Sequence, residues 1–141
     1  MTDAVGLAAS IVAFVTVAAK LSKVAAAVCG SIKDAPGDVR RVETRLNDLE
    51  FILTQINRAR SLNPELDGDL ATKRYWSSKE AKLKSDFAEF EDFAAQLTAN
   101  AGKAMGRIKW FLSHEDRANK TLGLLAEDIE VLRALLLIMQ S

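Results

Sequence analysis

Apolar residues recur along most of this chain at alternating intervals of three and four. Leu7, Ile11, Phe14, Ala18, Leu21, Ala25, Val28 and Ile32 form one such series, and Val39, Val42, Leu46, Leu49, Leu53 and Ile56 form a second. A third runs from Leu83 through Phe87, Phe90, Ala94, Leu97, Ala101, Ala104, Ile108 and Phe111; a fourth is Leu122, Leu125, Ile129, Leu132, Leu136 and Met139. Each places one apolar stripe along one face of an α-helix. The first helix is predicted over Asp3–Ile32, and the second from the Pro36 region to about Arg60. The stripes predict an all-α fold, an antiparallel four-helix bundle with coiled-coil-like packing, in a single domain spanning residues 1–141.

The breaks between the stripes carry turn chemistry. "KDAPGD", Lys33 to Asp38, ends the first helix, because Pro36 suits the first turn of a helix and not its interior. "SLNPELDGD", Ser61 to Asp69, reads as a loop, and "LATKRYW" after it as a short extra helical turn between helices 2 and 3. Ser77 with Glu80 has the capping-box spacing and is expected to open the third helix. The third stripe continues across Gly102 and Gly106, which predicts one long helix bent there. Ser113 with Asp116 is expected to cap the fourth helix after a turn at "LSHEDR".

Composition agrees with a helical domain. Hydrophobic residues make up 49% of the 141 and aromatics only 6%, so Ala, Leu, Val and Ile carry the core. Nineteen basic residues balance nineteen acidic ones, which leaves no global field to attract nucleic acid. The single cysteine, Cys29, excludes an internal disulfide and fits a reducing, cytoplasmic setting.

Candidate chemistry is sparse. His114 is the only histidine, and neither a zinc site nor a Glu-x-x-His dinuclear centre can be assembled around it. No glycine-rich phosphate loop is present. "GKAMG", Gly102 to Gly106, reads as a close helix–helix contact. The basic run Lys73, Arg74, Lys79, Lys82, Lys84 and the acidic run Asp86, Glu89, Glu91, Asp92 read as a solvated helix face with i,i+4 pairs. No catalytic residue, cofactor, metal, nucleic acid or small-molecule substrate is expected.

The unusual segment is "AVGLAASIVAFVTVAAK", Ala4 to Lys20, uncharged until its last residue. It lacks the basic start of a signal peptide, and up to Lys20 it is short for a membrane span. It reads as a core helix, the most buried of the four.

Three stretches carry a family resemblance: "GLAASIVAFVTVAAKLSKVAAAV", "SIKDAPGDVRRVETRLNDLEFILTQI" and "GRIKWFLSHEDRANKTLGLLAEDIEVLRALLLIM". In their order the chain resembles the N-terminal domain of fungal STAND proteins, the NOD-like receptors of filamentous fungi. This HeLo-like family is named after an azaphilone pigment cluster protein. Ala4 and Ala13 stand where that family often has proline and glycine, so the first helix is expected to be more regular here. The resemblance implies an N-terminal effector domain of regulated cell death and innate immunity. It would act through oligomerisation and membrane targeting of its first helix, without catalysis. The expected partners are downstream receptor modules, a second copy, or an anionic membrane. On this view Leu7, Ile11, Phe14 and Val15 form the membrane or oligomer face, and Lys20, Lys23, Lys33, Arg40 and Arg41 meet anionic lipid. The alternative is a helical oligomerisation module without membrane activity, suggested by the surplus apolar residues Leu124, Val131, Leu135 and Ile138.

Overall fold

The computed structural model describes residues 3–31, 37–101 and 106–141. They form α1 (Asp3–Ser31), α2 (Gly37–Leu62), a 3-10 turn (Pro64–Gly68), α3 (Leu70–Ala101) and α4 (Gly106–Gln140), with no strand among the described residues. This is the four-helix bundle that the stripes predict, with helices about 40–50 Å long at 1.5 Å per residue. Lys33 and residues 102–105 of "GKAMG" lie outside the described residues, as do the side chains of Cys29 and His114. The same holds for the side chains at the far ends of the first and third stripes, Val28 and Ile32, and Leu97 through Phe111.

Around the bundle axis the order is α1, α2, α4, α3; the diagonal pairs α1/α4 and α2/α3 make little contact. A short connection returns α2 alongside α1. Ser10 of α1 meets Glu80, and Phe14 meets Phe87, so α1 and α3 run parallel. Lys82 meets Asp128 while Arg117 meets Glu89, so α3 and α4 run antiparallel. The chain therefore alternates up and down, but two of the four neighbouring pairs are parallel. The α2–α3 connection crosses the diagonal, and the 3-10 turn forms the crossing. Pro64 opens this turn, and Arg60 of α2 holds it through Asp67 at 3.3 Å.

The core follows the stripes closely. Leu7, Ile11, Phe14, Ala18, Leu21 and Ala25 of α1 are buried, as are Val42, Leu46, Leu49, Leu53 and Ile56 of α2. Leu83, Phe87, Phe90 and Ala94 of α3 are buried with them. In α4 the stripe differs from the predicted one: Leu122 and Leu136 are half-buried, and Leu135, expected beside the stripe, lies fully inside it. Leu124 and Val131 are half-buried packing residues.

Three helix ends depart from the sequence reading. α3 starts at Leu70, so "LATKRYW" is its first two turns and Ser77 and Glu80 lie inside it. Its cap is Asp69, whose Oδ2 accepts hydrogen bonds from the Thr72 backbone N–H at 3.1 Å and from Thr72 Oγ1 at 2.8 Å. Glu80 turns sideways to Trp76 and α1, which removes it from any box. α3 ends at Ala101, α4 begins at Gly106 and the two run antiparallel, so the single long helix predicted across Gly102 and Gly106 is two helices. α4 then runs through 113–116 without the turn expected there.

Asp69→Ala removes the carboxylate that caps α3 and leaves the buried Thr72 hydroxyl without its acceptor. A loss of about 1 kcal/mol, the usual worth of such a cap, is expected in urea unfolding. Ser77→Ala, at the expected but unused cap, is expected to change stability by less than about 0.5 kcal/mol.

Candidate functional site: the first helix and the surfaces beside it

α1 combines two properties that seldom coincide. One face is core: Leu7 and Ile11 are at most 1% exposed, and Phe14 packs into aromatic rings of α3. The Phe14 ring centroid is 4.4 Å from Phe87 and 5.8 Å from Trp76. Val15 is half-buried against the core edge. Among the described residues from Gly6 on, the opposite face is exposed yet carries only Ala9, Val12, Ala13 and Thr16 before Lys20 and Lys23. Thr16 Oγ1 donates to the Val12 carbonyl at 3.0 Å, so its hydroxyl is satisfied within the helix.

The expectation that α1 is short for a membrane is corrected. The segment Gly6–Ala27 is 22 residues long, and by length and composition it is apolar enough to cross one. A count that stops at Lys20 misses this, because Lys20 and Lys23 are the segment's only charges and alanine and valine resume after them. The segment is core on one face only, since 33% of it is buried. Hydrophobicity alone would place Val12 and Ala13 inside; the structure leaves both exposed.

A polar contact joins α1 to α3. Glu80 Oε2 accepts hydrogen bonds from Ser10 Oγ at 2.9 Å and from the indole Nε1 of the buried Trp76 at 3.0 Å. Lys84 lies 3.7 Å from the same oxygen. These residues line a cleft of about 230 Å3 with Gly6, Leu7 and Lys73. The sequence signal for this arrangement is the i,i+4 spacing of Trp76 and Glu80, which the capping-box reading of Glu80 conceals.

The predicted basic residues with described side chains lie on two helices. Lys20 and Lys23 are exposed on α1. Arg40 and Arg41 are exposed on α2 and line an open groove of about 710 Å3 against α4, with Thr44, Arg45, Asp48, Leu122 and Gly123. Neither lysine lines that groove. Arg45, one turn beyond Arg41, joins the basic set, and Asp48 partly offsets it. Among the described residues no cluster of His, Cys, Asp or Glu has a metal-holding arrangement. No protein-family model, curated protein or solved structure matches the chain.

Phe14→Ala is expected to cost about 3–5 kcal/mol in urea unfolding, because it empties the α1–α3 aromatic contact. A double-mutant cycle of Ser10→Ala and Glu80→Ala is expected to give a coupling of about 0.5–1.5 kcal/mol. A coupling of zero would remove the Ser10–Glu80 bond from the forces that hold α1.

Proposed function

We propose that this domain is a helical signalling effector, of the kind its resemblance to fungal NOD-like receptor N-terminal domains implies. It acts by releasing α1 from the bundle toward a membrane, and it has no catalytic role. The observation that carries this reading is the 22-residue apolar segment Gly6–Ala27, only 33% buried, with an uncharged outer face over its first half.

Water opposes release of α1, since each large side chain such as Leu7, Ile11 or Phe14 loses about 1.5–3 kcal/mol on exposure. Hydrocarbon lifts that penalty. The helix satisfies its own backbone, Thr16 already bonds a carbonyl within it, and Ser10 can do the same once it leaves Glu80. Lys20 and Lys23 stand toward the far end, where lysines reach the headgroup layer. The Arg40, Arg41 and Arg45 groove supplies a second cationic surface for anionic lipid, each charge contributing about 1 kcal/mol near the surface. The working location on this reading is the cytoplasm, with recruitment to the plasma membrane on activation.

A second reading, an oligomerisation module without membrane activity, is favoured by the large apolar side chains left on the surface. Val12, Phe51, Leu62, Leu70 and Leu137 are each 47–76% exposed. A second copy or a downstream receptor module is the partner for such a surface.

Dye release from phosphatidylcholine–phosphatidylserine vesicles separates the readings. Glutamate at Leu7 or Ile11 would unfold the core, so the informative variant is Val12→Glu, on the exposed face. It is expected to keep the wild-type thermal midpoint within a few degrees. It is also expected to reduce release by about 100-fold, since a charge at mid-bilayer costs about 2.5–3.5 kcal/mol. Release equal to wild type, or no release by wild type at any protein density, rejects the membrane reading. Concentration-dependent sedimentation that Phe51→Ser or Leu137→Ser abolishes supports the second.

A further inference from the structure

The seam between α3 and α4 contains charge where the core should be apolar. Asp128 is completely buried, and Asp86 is 8% exposed. Lys82 spans both: its Nζ lies 2.6 Å from Asp86 Oδ2 and 3.1 Å from Asp128 Oδ1. Glu127, the neighbour of Asp128 on α4, reaches the same ammonium only at 3.9 Å and is mostly exposed. Two buried carboxyl groups thus share one lysine. Asp128 Oδ2, wholly inside, accepts no hydrogen bond. The buried described side chains of α2, which flanks α4 on its other side, are all apolar, and α1 lies across the diagonal.

We propose that the α3–α4 seam is a one-proton lock: Asp128 is held as the neutral acid, donates from Oδ2 to Asp86, and loosens the seam when that proton leaves. Asp86 and Asp128 bond the same Lys82 ammonium, at 2.6 and 3.1 Å, which makes the two carboxyl groups close neighbours. With the proton in place, the orphan oxygen gains a partner and the trio of Asp128, Asp86 and Lys82 is neutral. Without it, a net negative charge is buried with one oxygen unsolvated, which is the costly case for an ion in a low-dielectric interior.

The titration direction agrees with the geometry. Burial, then the hydrogen bond to Asp86, pushes the Asp128 carboxyl up to about 7 against the pull of Lys82. Burial works against the Lys82 ammonium, but its hydrogen bonds to Asp86 and Asp128 prevail and raise it to about 12. The lysine therefore stays charged throughout the range in which Asp128 titrates. A carboxyl raised on folding binds more protons in the folded than in the unfolded chain. Its contribution therefore falls as pH rises from the unfolded value of 3.8 through about 7, and is fully lost above that.

The test is the carboxyl carbon resonance of Asp128 in the full chain, followed across pH by NMR. A midpoint near 7 is expected, and one in the ordinary carboxylate range overturns the proposal. Asp86→Asn removes the like charge and is expected to lower that midpoint; no change overturns the pairing. Asp128→Asn keeps a neutral donor and acceptor at the site. Its urea midpoint is expected to lose the decline that wild type shows between about pH 5 and about pH 8, and to exceed wild type at the upper end. An undiminished decline in the variant overturns the lock. If Asp128→Asn does not fold, the wild-type resonance and Asp86→Asn decide.

Discussion

The apolar stripes of α1 to α4 can leave water only by turning toward one axis, and the bundle depends on that shared burial. Positions along a helix are not interchangeable in this respect. Ile11 and Leu53 are entirely inside, while the residues that follow them, Val12 and Thr54, are exposed. Each stripe also fixes the rotation of its helix. Once α1 faces inward through Leu7, Ile11 and Phe14, its Ala9–Val12–Ala13–Thr16 face must point outward, whatever its hydrophobicity. The exposed apolar face of α1 is thus a consequence of packing a helix with apolar residues on several faces against two neighbouring helices and the 3-10 turn.

Polar residues on the inward stripes are satisfied in different ways, and the hydroxyls of Ser22 and Thr121 have no partner among the described residues. Thr72 is satisfied locally by the Asp69 cap. Asp86 Oδ2 and Asp128 Oδ1 are satisfied between helices, through Lys82, while Asp128 Oδ2 is left without a partner among the described residues. Such contacts add little net stability compared with an apolar pair of similar size, but an unsatisfied partner is expensive. Their effect is to set register: α3 and α4 must align so that positions 82, 86 and 128 meet, and Arg117 then reaches Glu89 further along the seam. Glu80 does the same between α3 and α1, where it meets both Trp76 and Ser10.

The proposed function uses this tension. In the bundle the larger apolar residues of α1 are covered; on the proposed reading lipid would cover its exposed ones, which carry no charge from Gly6 to Ala19. On that proposal the same sequence suits two surroundings. The choice between them rests on contacts made by other helices, chiefly the Phe14 ring contacts with Trp76 and Phe87 and the Ser10–Glu80 hydrogen bond.

Helix existence and the inward faces of α1, α2 and the middle of α3, Leu83 to Ala94, are legible in the sequence, because three-four spacing of apolar residues is a local property of the chain. In α4 the apolar spacing alone points to Leu122 and Leu136 as stripe members, and both are half-buried. The buried series there includes Ala118, Thr121, Leu125, Asp128, Leu132, Leu135 and Met139, with two polar members that hydrophobicity hides. Helix ends are less legible: Ser77 with Glu80 has a capping spacing, and only the position of α1 shows that Glu80 is engaged sideways. Local pattern thus establishes four amphipathic helices and most of what they bury. The ring order of those helices, the groove that Arg40 and Arg41 line against α4, and the meeting of Lys82, Asp86 and Asp128 come from the packed fold alone. Periodicity acts within one helix, whereas these arrangements depend on how separate helices are placed in space.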